Sequence, residues 1–252
     1  VRGSEDGDAD PLMARRETDL RSVERFLSRA RRDGHQMLTE PEAKQMLALA
    51  GIGIPPEAVA TSAAQAARLA NRIGYPVVLK VVSRDLPHKS DVGGVQLGLQ
   101  SQDAVRRAYT AIVNRVGRAS RRARIEGVLV QPHLSGREVI LGATQDPQLG
   151  PVVVFGLGGT AVELLGDVAF RLVPIDERDA REMLGDIKSA PLLGAYRGEA
   201  AVSTTSIVRA LLSLSRLMSR FSHLIREIEI NPMLVTPRGG VAVDAMAVLA
   251  PR

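Results

Sequence analysis

The chain has 252 residues, a net charge of +5 and 45% hydrophobic residues, which marks a globular protein long enough for one large domain or two lobes. It contains no cysteine, which excludes a disulfide framework, a thiolate metal site and a cysteine nucleophile. Aromatic residues at 3% offer few stacking platforms, so the arginines, for example Arg118 to Arg124, read as solvated helix faces; no nucleic-acid partner is expected.

No apolar run is long enough to span a bilayer and no signal-peptide pattern opens the chain, so the expectation is a cytoplasmic protein without a membrane partner. Val1 to Leu12 is acidic and aperiodic and reads as linker. Leu20, Val23, Phe26, Leu27 and Ala30 fall at helical spacing, with arginines on the other face, and define an amphipathic lead-in helix over Asp19 to Arg32. Thr39 and Glu42 form a capping-box pattern around Pro41. Ala43, Met46, Leu47 and Ala50 then share a face, and Gly51 ends the second helix.

Ala58 to Thr61 reads as a short strand, Ser62 to Ile73 as an alanine-rich helix, and Pro76 to Val82 as a buried β-branched strand carrying Lys80. A buried ammonium needs an anion, which is either a salt-bridge carboxylate or a bound phosphate. The following loop holds His88 between Pro87 and Lys89, then Gly93 and Gly94, which permit a tight turn or close approach to a ligand. A histidine largely neutral at pH 7 has a ring nitrogen lone pair able to attack a phosphoryl group, although by itself a histidine in such a loop reads first as an ordinary solvated side chain.

Val95 to Leu99 is a further strand, Gln102 to Arg122 a long helix, and Ile125 to Gln131 a buried strand running into Pro132-His133, a proline-limited hinge between lobes. Gly136 to Thr144 and Pro151 to Phe155 flank a turn and form an antiparallel hairpin. Gly156-Leu157-Gly158-Gly159-Thr160 precedes a short helical piece with Glu163. This is neither GxGxxG nor a P-loop, and serves as a weak phosphate contact or a plain strand-to-helix turn. Arg171 to Pro174 is one more strand, Glu177 to Ile187 a surface helix, and Ser203 to Phe221 a long core-facing helix.

Near the C-terminus, Glu229 and Asn231 share a strand face by period two, and Asp244 ends the strand that folds back after the Pro237-Gly240 turn. Three oxygen-bearing side chains on adjacent strands suit Mg²⁺, and the apolar flanks IEIN and VAVDA argue against ordinary surface polarity.

Taken in order, PVVLK, PHKSDVGGV, VLVQ, SGREVILG, DPQLGPVVVFGLGG, EIEINPM and VAVDA resemble the ATP-grasp β-subunit of the ADP-forming acyl-CoA synthetases, and more distantly that of succinyl-CoA synthetase. The resemblance runs from about His35 to Leu249. It implies an α/β (α+β) ATP-grasp fold of two lobes with nucleotide between them: residues 1–34 as extension and lead-in helix, 35–131 as the small lobe, and 132–252 as the large lobe with the magnesium strands. It further implies ATP or ADP with Mg²⁺ as ligands. Val78 and Lys80 would contact nucleotide, and Val130, Gln131, Pro132 and His133 would line the adenine. Glu138 would lie near ribose or phosphates, with Gly158, Gly159 and Glu163 as weaker loop contacts. Glu229, Asn231 and Asp244 would hold the metal, or Glu229 would instead orient the histidine, and His88 would be the phosphorylated histidine.

No CoA-binding Rossmann fingerprint is visible, so acyl and CoA chemistry is assigned to a CoA-binding, ligase α-like half, in cis or in trans, within an oligomeric full enzyme. A start at Val1 and the extension before His35 suggest a fragment of a fused synthetase. The alternative is a regulatory nucleotide-sensing ATP-grasp module fused to another enzyme such as an acetyltransferase, which would not need a phosphorylatable His88.

Overall fold

A computed structural model describes residues 19–86, 88–158, 166–196 and 198–251. The expected linker at 1–12 lies outside them. The described strands form two antiparallel sheets, each with its own apolar core, and the buried charged side chains Lys44 and Lys80 both pair with the buried Glu40.

The smaller sheet has the order β2 (Ala58–Ala60), β5 (Gly127–Pro132), β3 (Val77–Val82), β4 (Val95–Leu99). Helices α3 (Ala63–Ile73) and α4 (Gln102–Ala119) cover one face, each capped by a serine hydroxyl, Ser62 or Ser101, that accepts from a backbone N–H three residues on. Because side chains alternate along a strand, Val77, Leu79, Val81, Val128 and Val130 enter this core, while Val78, Lys80, Leu129 and Gln131 project from the opposite face.

The larger sheet runs β1 (Met37–Leu38), β11 (Ala245–Leu249), β9 (Ile225–Thr236), β6 (Arg137–Asp146), β7 (Gly150–Leu157), β8 (Val168–Leu172), with β10 (Gly239–Ala242) also paired to β9. Its core takes the apolar stripes of α1 (Leu20–Arg32), α2 (Glu40–Leu49), α5 (Glu177–Asp186) and α6 (Thr204–Phe221).

The sheets divide the chain elsewhere than the sequence suggested. Residues 35–57 belong to the larger unit: β1 pairs with β11, and the buried face of α2, Ala43, Met46 and Leu47, shares its core with Ile228 and Ala247. The lead-in helix α1 joins the same core through Val23, Leu27 and Ala30. The smaller unit is accordingly residues 58–132. Two further differences are local. The strand expected at Arg171 to Pro174 runs from Val168 to Leu172, and the chain after Asp244 forms β11, which the sequence reading ended too early to include.

β9 is the strand on which the site is built. Its first half pairs with β11 and its second with β10, so the partner edge breaks between Ala242 and Ala245. On its other side β9 inserts one extra residue against β6, with Ile230 opposite Leu141 but Met233 opposite Val139. Such a bulge bends a strand and re-aims its side chains. Pro232, which has no amide proton, occupies this irregular stretch; its carbonyl accepts from Val243 N–H, and Asn231 N–H donates to the Asp244 carbonyl.

Candidate nucleotide and magnesium site

Between the sheets lies a cleft of about 270 Å³ lined by His88, Lys89, Ser90, Asp91, Glu229, Asn231, Asp244 and Met246. Glu229 and Asn231 share a face of β9, as period two requires, and Asn231 Nδ2 donates to Glu229 Oε1 at 3.0 Å. The amide oxygen of Asn231 and the second carboxylate oxygen of Glu229 are not committed by that bond. Asp244 stands in the break between β10 and β11. His88 is exposed at the opposite wall.

The histidine segment is shaped by its glycines. Gly93, at φ +64°, has Arg115 packed where a Cβ would stand, and a Cβ on Gly94 would lie 2.5 Å from Val81 Cγ1. Gly93 N–H donates to Ser90 O, Gly94 N–H to Lys89 O, and Val81 N–H to Gly94 O, which folds the chain tightly back into β4.

Lys80 has a carboxylate partner here. Its Nζ donates to Glu40 Oε1 at 2.8 Å, the Val243 carbonyl at 2.7 Å and Asp244 Oδ2 at 3.0 Å. Lys89 lies between Asp244 Oδ1 and Oδ2, at 2.7 and 2.9 Å, and Glu40 Oε2, at 2.6 Å. Lys44, fully buried, donates to Glu40 Oε1 and Gln131 Oε1, each at 2.8 Å, and pairs with Glu57. One carboxylate, Glu40, thus meets three ammonium groups.

The charge states follow from these contacts. Burial alone would raise the Glu40 carboxyl, but Lys44, Lys80 and Lys89 outweigh it and hold the group well below the ordinary carboxylate range. Burial would lower the Lys89 ammonium, and Glu40 and then Asp244 reverse that and raise it. Glu57 goes up, because burial exceeds the pull of Lys44.

The donor set fits Mg²⁺. Two carboxylates and an amide oxygen, from β9 and from the break between β10 and β11, line one polar cleft, and Mg²⁺ takes one or two carboxylates plus water and phosphate oxygens rather than a full protein cage. Among the described residues no group of three or more His, Asp or Glu side chains converges that could hold a metal ion.

The other expected contacts are spread more widely. Val78, Lys80 and Gln131 share the face of the small sheet turned away from its helices, toward the charged cluster. Val130 points into the small-lobe core, so any contact from it is through its backbone. Pro132 closes β5 opposite Val77, and His133 N–H is already given to Pro76 O. Glu138 is exposed on β6, its carbonyl accepting from Gly158 N–H, and is not drawn into the cluster among the described residues. Gly159 and Glu163 lie outside the described residues.

Glu40, Lys44 and Glu57 were not recognised in the sequence. One signal for them existed: Lys44 sits beside Ala43 and one helical turn from Leu47, within the stripe that α2 buries.

Residues 29–249 match the family described as ATP-grasp domain. The chain is 40% identical over 233 residues to the β subunit of the ADP-forming acetate–CoA ligase II of Pyrococcus furiosus, covering 91% of this chain and 97% of that one. The ADP-forming acetate–CoA ligase I of Archaeoglobus fulgidus is 42% identical over 209 residues, 82% of this chain but 30% of its own length. Among solved structures, the dinucleotide forming acetyl-coenzyme A synthetase 1 of Ca. Korarchaeum cryptofilum, in complex with coenzyme A, Ca-AMPCP and HgCl+, superposes with a TM-score of 0.87 at 41% identity, covering 90% of this chain and 100% of that chain. Another structure of that enzyme, with coenzyme A and Mg-AMPPCP and its phosphohistidine segment pointing towards the nucleotide binding site, gives 0.78 at 37%, with the same coverage of both chains.

The chain belongs to the ATP-grasp family. Within it, the chain is the ATP-grasp component of an acid–thiol ligase, of the ADP-forming acyl-CoA synthetase type.

Proposed function

We propose that the chain binds ATP or ADP with Mg²⁺ between its lobes and relays the γ-phosphoryl group through His88 to a CoA-binding half, in cis or in trans. The observation that carries this reading is the sharing of one cleft by His88 and the oxygen donors Glu229, Asn231 and Asp244, with two ammonium groups on Asp244.

A neutral imidazole nitrogen of His88 attacks the γ-phosphorus. The bond from phosphorus to the β,γ-bridging oxygen breaks, its electron pair leaves on ADP, and the imidazole proton is released to solvent. Lys80 and Lys89 supply fixed positive charge beside the transferring group, and positioning with charge neutralisation is most of what this chemistry asks of a protein. Glu229, Asn231 and Asp244 would hold Mg²⁺, which when bound neutralises charge on the β- and γ-phosphate oxygens. Val78, Gln131, Pro132 and His133 would border the base, the backbone of Val130 would contribute beside them, and Glu138 and Gly158 would lie toward ribose and phosphates. Run in reverse, phosphohistidine and ADP give ATP.

The test is incubation with γ-labelled ATP and Mg²⁺ in the presence of the CoA-binding half. Label is expected on His88, stable in base and lost in acid, because protonation activates a phosphoramidate nitrogen as a leaving group. His88→Asn should keep nucleotide affinity and lose the label. Label that persists in this variant assigns the chemistry to another side chain, and no label in the unaltered protein favours the regulatory module.

A further inference from the structure

Lys89 follows the nucleophile directly in the chain, and its ammonium is shared by two carboxylates of the larger lobe, Asp244 and Glu40. The two are not equivalent. Asp244 is a proposed metal ligand whose oxygens already meet Lys80 and Lys89. A divalent cation at Asp244 and an ammonium under 3 Å from the same oxygens repel each other, so metal binding there weakens the hold on Lys89. Glu40 stands behind them on α2, with its side chain 3% exposed. It is fixed through Oε1 by Lys44, which Gln131 and Glu57 hold in turn, and its Oε2, which accepts no hydrogen bond, lies 2.6 Å from Lys89 Nζ as an ion pair.

We infer that Glu40 is a positioning residue for the phosphoryl relay: it retains Lys89, and with it His88, on the nucleotide side of the cleft when metal engages Asp244. The inference rests on the metal assignment above. It assigns a division of labour between two carboxylates that both pair with Lys89. The rest of the segment supports this. Its far end is held by Arg115 Nη1 donating to Gly93 O at 3.1 Å and by Val81 N–H donating to Gly94 O at 2.7 Å, so Lys89 is the anchor next to the histidine.

Hydrogen–deuterium exchange over residues 86–94 of the full chain, with and without Mg²⁺ and without nucleotide, tests it. In the unaltered protein Mg²⁺ should change segment exchange by less than about twofold, whereas in Glu40→Gln it should speed exchange about tenfold. Lys89→Gln should exchange faster than the unaltered protein in both conditions, and this variant decides the matter if Glu40→Gln does not fold. Because Lys89 also supplies charge beside the transferring group, its variants report on anchoring through segment exchange and not through the rate of phosphorylation, and Lys89→Arg should recover part of the protection that Lys89→Gln loses. Segment exchange in Lys89→Gln equal to that of the unaltered protein overturns the inference, as does a Mg²⁺ response in Glu40→Gln no larger than in the unaltered protein. The exchange measurement needs no phosphorylation, so an unlabelled His88 would defeat the relay while leaving this result readable.

Discussion

Lys44 Nζ lies 2.8 Å from Gln131 Oε1, so a helix of the larger lobe reaches into the inner strand of the smaller one through a fully buried ammonium. Removing one partner of a buried ion pair leaves the rest uncompensated, which typically costs about 3–5 kcal/mol. Lys44→Met keeps the volume and removes the charge, so its loss of stability to denaturant should fall in that range. A loss below about 1 kcal/mol would mean that the cluster re-pairs without Lys44.

Asp244→Ala should fold, since Lys80 and Lys89 keep Glu40 as a partner. Its Mg²⁺-dependent nucleotide affinity should drop by about ten- to hundredfold, read by calorimetry with and without the metal. Unchanged affinity in the folded variant would remove Asp244 from the metal site.

Acid should weaken the protein in a defined window. Burial alone would raise Glu42, but the hydrogen bond from Arg84, followed by those from Thr39, holds it down, and Glu40 is lowered by its three lysines. A carboxyl whose folded pKa is lowered stabilises the fold above its unfolded value, near 4.5, and that stabilisation is lost as pH falls through the folded pKa. Thermal unfolding midpoints should therefore decline below about pH 4.5, and Glu42→Gln should flatten the upper part of the decline. Glu57, which is raised, acts in the opposite sense, favouring the fold below its unfolded value and losing that contribution as pH rises through the folded one. An acid profile identical in Glu42→Gln and the unaltered protein would exclude Glu42 as a source of the decline.

The chain alone should make no acyl-CoA from ATP, acetate and CoA, because its sequence carries no CoA-binding Rossmann fingerprint. Addition of a CoA-binding half should restore thioester formation. Thioester at a catalytic rate without that half would locate the acyl site within this chain.

Polar residues set against apolar flanks are what the sequence offered for the candidate site. Lys80 stood out as the charge within a continuous β-branched run, Glu229 and Asn231 as one polar face of an alternating strand, and Asp244 as the acid that follows the apolar run Val241 to Val243. Glu40 did not, because an acid in the first turn of a helix is what the helix dipole favours, and the Thr39–Glu42 box accounts for its surroundings. The lobe boundary was missed for a different reason. β1 has two residues, too few for any periodicity, and its partner β11 lies at the other end of the chain, so neither composition nor spacing ties residues 35–57 to the larger sheet.

The seam that holds Asp244 also decides where the chain can change length. β10 and β11 are registered on β9 independently, and β1 fixes β11 from its other edge. Residues added at the tip between Thr236 and Gly239 are absorbed beyond the last paired position and leave the carboxylate where it is. One residue gained or lost between Ala242 and Ala245 has no such outlet: either a flanking strand slips and turns its buried face outward, or the change is taken up at the carboxylate itself. Insertions compatible with phosphoryl transfer therefore belong at the hairpin tip, and the Val243-Asp244 dipeptide has a fixed length.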